Sequence, residues 1–220
     1  MKPESITHVL FDMDGILLDT EPLYSRAIQE VASRYGKTFD WNMKEQIMGR
    51  GRLAAANFLV AALGLPLDAQ AYLVERDAIL LHHLAEAPEI AGAEAFTRKL
   101  LALGLKLAVA TSSTRGLFEL KTQLHGAWFS IFSAVVCGDD PRLTQTKPAP
   151  DIFLLAAREL GADPSQCLVF EDSPAGVKAA LAAGMRVVAM PDPNLNPELM
   201  AGACQVITGY AEFPMSLLGL

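Results

Sequence analysis

Asp12 and Asp14 stand two positions apart just after a short apolar run, His8-Val9-Leu10-Phe11, and polar residues close other apolar runs in the same abrupt way. Thr111-Ser112-Ser113 follows residues 105–110, Glu171-Asp172-Ser173 follows residues 167–170, and Lys147 lies in the loop after Gly138-Asp139-Asp140. Runs of this length are the pattern of strands buried on both faces of a parallel sheet, and ligands of such sheets bind outside the carboxyl ends of the strands. The residues that end the runs are therefore expected to converge. Four carboxylates at one spot, Asp12, Asp14, Glu171 and Asp172, repel one another unless a cation sits among them. An all-oxygen set of this kind selects a hard divalent ion, Mg2+ above all, which retains waters and takes a phosphate oxygen as a further ligand. Lys147, the Thr111 hydroxyl and nearby backbone N–H groups supply the positive partners that phosphate oxygens require.

Such a cluster needs a sheet to hold it. Two further apolar runs, residues 134–137 and 187–190, read as strands, and helical periodicity fills residues 93–103, 115–124, 151–160 and 175–183. Gly104, Gly161 and Gly184 follow three of these helices in the position of C-caps. Strand alternating with helix predicts an α/β fold with a Rossmann-like doubly wound parallel sheet. From Thr20 to Pro88 the periodicity is helical throughout and no strand is evident, with Pro22 and Pro88 near the two junctions. The expected organisation is a core of residues 1–19 and 89–220 with an inserted helical cap domain of residues 20–88.

The chain has 220 residues, 51% hydrophobic and 20% charged, enough apolar surface for a sizeable core. Its net charge of −7 repels polyanions, so nucleic acid is not an expected partner. The longest mostly apolar stretch, residues 53–67, is broken by Asn57, Gly64 and Pro66 and falls short of the roughly 20 residues that span a bilayer. No membrane segment and no signal peptide are read, and a cytoplasmic location is expected. Cys137, Cys167 and Cys204 are odd in number and lack metal-site spacing; all three are expected to be small buried residues.

The residues also carry a family likeness. Asp12-Met13-Asp14-Gly15-Ile16-Leu17-Leu18-Asp19-Thr20-Glu21 resembles the first motif of the haloacid dehalogenase superfamily of phosphohydrolases. Thr111-Ser112-Ser113 is similar to the second motif and Lys147-Pro148-Ala149-Pro150-Asp151 to the third. Glu171-Asp172-Ser173-Pro174-Ala175-Gly176-Val177 with Ala182-Ala183-Gly184-Met185 is similar to the fourth. The motifs occur in the family's order over essentially the whole chain. In finer detail, the first motif, Met48-Gly49-Arg50-Gly51-Arg52, Phe118-Glu119-Leu120-Lys121-Thr122 and Gly138-Asp139-Asp140-Pro141 resemble pseudouridine-5'-phosphatases and glycerol-3-phosphatases. Glu119 departs from an expected Asp, as do residues 142–146 from the usual approach to the lysine.

The resemblance implies roles. Asp12 would be the nucleophile that forms an aspartyl-phosphate, and Asp14 the general acid and base. Asp12, the main-chain carbonyl of Asp14 and Asp172 would hold Mg2+, with Glu171 as ligand or supporting partner. Lys147 would offset charge on the nucleophile and phosphoryl group, while Thr111 and the Ser112 N–H hold phosphoryl oxygens. An Asp two places after the nucleophile separates this chain from the family's dehalogenases and P-type ATPases. Arg50, in the stretch that resembles the cap specificity loop, and Glu21, at the cap entrance, are the expected substrate contacts. The implied reaction is Mg2+-dependent hydrolysis of a small phosphorylated metabolite; the sequence is silent on oligomeric state, and a monomer is the default expectation. A phosphosugar mutase of the beta-phosphoglucomutase type and a non-catalytic phosphate-ester binder are the alternatives.

Other patterns carry less. Asp12-Met13-Asp14-Gly15 is no calcium loop, because Ile16-Leu17-Leu18 occupies positions that need polar residues. Gly49-Arg50-Gly51-Arg52-Leu53-Ala54 matches a dinucleotide fingerprint only formally, since no buried strand precedes it. His82 and His83 are adjacent on a helix and face different ways, which suits neither a metal pair nor a base.

Overall fold

The structure, a computed structural model, describes residues 5–47 and 52–219. Six strands, β1 (His8–Phe11), β2 (Lys106–Thr111), β3 (Ala134–Cys137), β4 (Cys167–Glu171), β5 (Arg186–Ala189) and β6 (Gln205–Val206), form one sheet. Every pairing is parallel, in the order β3-β2-β1-β4-β5-β6. The fold is thus the α/β, doubly wound arrangement that alternation of strand and helix predicts. The limits of β1 and β3 are those expected, and those of β2, β4 and β5 move by one residue. Gln205–Val206 escaped the sequence reading because a two-residue exposed strand leaves no apolar run.

Phe11 lies opposite both Val109 and Phe170; β1 ends there, while β2 runs two residues further to Thr111 and β4 one further to Glu171. The order reverses around β1, the place where an open α/β sheet forms its binding crevice. Helices cover both faces. On one, α8 (Asp151–Leu160) and α9 (Pro174–Ala182) pack Phe153, Ala156, Val177 and Ala180 against Leu10, Ala110, Val136 and Val169. On the other lie α5 (Ala93–Ala102), α6 (Arg115–Thr122) and the single turn α7 (Gly126–Phe129). That face is aromatic: Phe11 stacks on Phe170 at 5.0 Å between ring centroids, and Phe96 stacks on Tyr210 at 4.7 Å. Cys137 and Cys167 are buried as expected, whereas Cys204, beside the exposed edge strand, faces solvent.

The chain divides into two compact units, Met1–Asp19 with Pro88–Leu220, and Thr20–Ala87. The second contains α1 (Glu21–Arg34), α2 (Trp41–Ile47), α3 (Arg52–Leu63) and α4 (Ala69–Leu84), and no strand among its described residues. Pro22 lies in the first turn of α1, and Asp68 caps α4 by accepting from the Ala71 N–H at 2.7 Å. Ile28, Val31, Leu59 and Tyr72 fill its own core. Nearly buried His83 meets Glu30 at 2.8 Å, while Glu21, at the start of α1, pairs with Lys44 at 3.5 Å. Among the described residues no helix is long and apolar enough to cross a membrane.

Candidate active site

β1 delivers Asp12 to the sheet's carboxyl edge, where its N–H donates to the Phe170 carbonyl at 3.0 Å. The chain then folds back on itself: the Leu17 and Leu18 N–H groups both donate to the Met13 carbonyl at 2.9 Å. Met13, Ile16, Leu17 and Leu18 are wholly buried, so the apolar residues that rule out a calcium loop are anchors for this turn. Asp14 stays half-exposed on it.

Lys147 ties the three central strands together. Its Nζ donates to Asp12 Oδ1 at 2.5 Å, to Glu171 Oε1 at 2.6 Å and to the Ala110 carbonyl at 3.3 Å, and lies 4.9 Å from the Phe153 ring centroid. Glu171, fully buried, uses its other oxygen to accept from the Ser173 N–H at 2.9 Å and the Ser173 hydroxyl at 3.0 Å. The same Ser173 oxygen caps α9 by accepting from the Gly176 N–H at 3.0 Å. A charge network thus runs from Asp12 into the start of a core helix.

Asp14 has a lysine of its own. Lys121, whose side chain has no exposed surface, donates to Asp14 Oδ1 at 2.6 Å and to Ser113 Oγ at 2.9 Å. Ser113 Oγ donates in turn to Asp14 Oδ2 at 3.1 Å. Thr111 ends β2, fully buried, with Oγ1 accepting from the Ser113 N–H at 3.1 Å; Ser112 is exposed.

Two glycines make room for carboxylates. A Cβ on Gly15 would stand 2.4 Å from Asp172 Oδ2, and at φ +77 a side chain is strained there in any case. A Cβ on Gly176 would stand 1.7 Å from Glu171 Oε1. Gly176→Ala is therefore expected to push Glu171 off Lys147 and Ser173, costing about 2–4 kcal/mol of stability because a buried charge loses its partners. Urea unfolding of the variant measures this, and an unchanged midpoint would mean that the carboxylate relaxes freely.

Burial, with Glu171 and Asp14 adding negative charge nearby, pushes the Asp12 carboxyl up to about 7 against the pull of Lys147. Burial opposes the charge on Lys147 too, but Asp12 and Glu171 outweigh it and hold the ammonium firmly protonated. The Asp12 end of the site therefore carries more negative charge than Lys147 offsets, the condition that a bound cation relieves. Of the four carboxylates expected near one another, Glu171 and Asp14 make firm contacts of their own. Among the described residues no three His, Cys, Asp or Glu side chains are grouped to hold a metal. The reason is that Glu171 is turned to Lys147 and Ser173, and the Asp14 carboxylate to Lys121 and Ser113. A set of Asp12 and Asp172 carboxylates with the Asp14 main-chain carbonyl still fits Mg2+, an ion satisfied by one or two carboxylates and water.

Asp12, Asp14, Lys147, Thr111, Ser112, Glu171 and Asp172 all stand on the sheet's carboxyl edge or on the turns leaving it. Glu21 belongs to the helical unit, and Arg50 lies outside the described residues. Asp139, in the turn before Lys147, accepts from the Arg115 N–H at 2.9 Å at the start of α6. Lys121 and Ser113 are the contacts that sequence reasoning missed. The available signal was helical phase, since Lys121 shares the buried face of α6 with Phe118 and Thr122.

A family model for haloacid dehalogenase-like hydrolases matches residues 6–184, and the chain belongs to that family. It groups with the family's phosphatases. A Drosophila melanogaster protein described as a probable pseudouridine-5'-phosphatase is 44% identical over 218 residues, 98% of this chain and 94% of that one. The Arabidopsis thaliana (DL)-glycerol-3-phosphatase 1, mitochondrial, is 42% identical over 221 residues, 98% of this chain and 74% of that one. Among solved structures, a haloacid dehalogenase family hydrolase from Deinococcus radiodurans R1 with bound phosphate and sodium superimposes with a TM-score of 0.83. It is 25% identical, and the match covers 98% of this chain and 97% of that one.

Proposed function

We propose that this enzyme is a Mg2+-dependent phosphomonoesterase that works through an aspartyl-phosphate on Asp12. The observation that carries the reading is a buried Asp12 with one oxygen pinned by Lys147, two residues from an Asp14 held by a separate lysine. Two adjacent carboxylates in different settings are what a nucleophile and a proton carrier require.

Lys147 fixes Asp12 Oδ1, and the other oxygen attacks phosphorus as the ester P–O bond breaks. Asp14 gives a proton to the departing alkoxide, then takes one from the water that attacks the aspartyl-phosphate, releasing phosphate and restoring Asp12. Thr111, with Oγ1 already accepting from Ser113, turns its hydroxyl hydrogen toward a phosphoryl oxygen, and the Ser112 N–H offers a second donor. Asp12, the Asp14 carbonyl and Asp172 would hold Mg2+, which supplies charge neutralisation for the transferring phosphoryl group.

The helical unit is proposed as a cap that selects the substrate, with Arg50 and Glu21 as its contacts. The substrate class proposed is a small polyol, sugar or nucleoside monophosphate, after the glycerol-3-phosphatase and pseudouridine-5'-phosphatase relatives. Phosphate release from a panel containing glycerol 3-phosphate, pseudouridine 5'-phosphate and hexose phosphates tests the reading. Turnover of one or a few members in Mg2+, lost on adding EDTA, is expected. No release from any member overturns it, and turnover only in the presence of a sugar bisphosphate assigns a mutase instead.

A further inference from the structure

Lys121 is an expensive residue for the fold to keep. Its side chain leaves the buried face of α6, which it shares with Phe118 and Thr122, and a buried charge is tolerated only when paired and hydrogen-bonded. Both conditions are met by one partner pair: Asp14 Oδ1 at 2.6 Å and Ser113 Oγ at 2.9 Å, with Ser113 Oγ closing the ring to Asp14 Oδ2 at 3.1 Å. The helix that carries it is anchored where it begins. Thr114 caps α6 by accepting from the Leu117 N–H at 3.4 Å, and Asp139 accepts from the Arg115 N–H at 2.9 Å. Lys121 therefore reaches Asp14 from a fixed support almost two turns downstream.

We infer that Lys121, acting with Ser113, is the positioning residue that orients the Asp14 carboxylate for delivery of the proton to the leaving alcohol. The inference rests on the proposed role of Asp14 as acid and base. A carboxylate on a turn has two rotatable bonds, and proton transfer needs one of its oxygens within hydrogen-bond reach of the ester oxygen. Lys121 holds Oδ1 by charge. Oδ2 faces a serine hydroxyl, a group that donates to a bare oxygen and accepts from a protonated one by turning its single hydrogen. Oδ2 is thereby the oxygen left for proton traffic: its O–H bond breaks as the O–H bond of the departing alcohol forms, and Ser113 returns to donating. Lys147 and Lys121 divide the work, Lys147 holding Asp12 and Lys121 holding Asp14.

Leaving groups separate this role from a merely structural ion pair. An alkoxide needs the proton, whereas p-nitrophenolate departs without it, and kcat/KM reports the steps up to release of the alcohol. The test compares wild type, Lys121→Met, Asp14→Ala and the double variant on p-nitrophenyl phosphate and on the best alkyl phosphate of the panel. Lys121→Met is expected to lower kcat/KM about 10²-fold for the alkyl ester and less than about tenfold for the aryl ester. On the Asp14→Ala background it is expected to add less than about threefold, because the group it positions is gone. Equal losses on the two esters, or losses that multiply in the double variant, overturn the inference while leaving the phosphatase reading in place. A wild type inactive on every ester overturns both. Should Lys121→Met fail to fold, Ser113→Ala carries the test: the same bias toward the alkyl ester is expected, and its absence rejects the role.

Discussion

Asp12→Asn is expected to lower phosphate release by about 10⁴-fold or more, since an amide oxygen cannot form the covalent intermediate and no other carboxylate shares Asp12's place at the end of β1. The loss should fall on kcat/KM for alkyl and aryl esters alike, which separates it from a defect in proton delivery. Fold and chemistry can be told apart in the same variant. Because burial disfavours the ionised Asp12 carboxyl, the metal-free Asp12→Asn protein is expected to melt no lower than wild type at pH 8. Thermal melts in EDTA check this. Retained turnover would remove Asp12 as the nucleophile, and a collapsed melting temperature would trace the loss to the fold.

Lys147→Met carries the largest combined effect, on stability and activity together. Lys147, Asp12 and Glu171 have 7%, 9% and 0% of their side-chain surface exposed, so removing the ammonium leaves two buried carboxylates facing each other. A destabilisation of about 3–5 kcal/mol is expected, with turnover reduced about 10²-fold or more. The pH dependence has a definite sign. Asp12's folded pKa is raised to about 7, so its contribution to stability is present below the ordinary carboxylate value near 4 and is lost as pH rises through 7. Without Lys147 the carboxyl rises further, and the variant must hold a proton that wild type has released. The deficit against wild type should accordingly be larger at pH 8 than at pH 5, where Asp12 is already mostly neutral. Denaturant unfolding in EDTA at the two pH values measures the difference; a deficit larger at pH 5 would contradict the charge assignment.

The core fold could be read in the sequence because strands buried on both faces leave uninterrupted apolar runs. His8–Phe11 and Ala134–Cys137 end where the runs end, and Asp12, Thr111 and Glu171 stand at or just past such ends. Chain order and residue type were enough to gather Asp12, Lys147 and Asp172 at one edge, because a parallel sheet brings all its carboxyl ends to the same side. Which charge meets which was another matter. Asp12 is 135 positions from Lys147, and Asp14 is 107 from Lys121, so nothing local records either pairing.

Only packing turned Glu171 toward Lys147 and Ser173, into space that is open because Gly176 carries no side chain. Helical phase marks Lys121 as lying on the buried face of α6, but only the placement of α6 made it the partner of Asp14. By itself the sequence determined the α/β architecture, the family and the edge at which the chemistry gathers, because apolar period and motif order survive without coordinates. The tertiary structure decided the charge pairs, because an ion pair between distant segments depends on distances of a few ångströms that hydrophobic patterning leaves open.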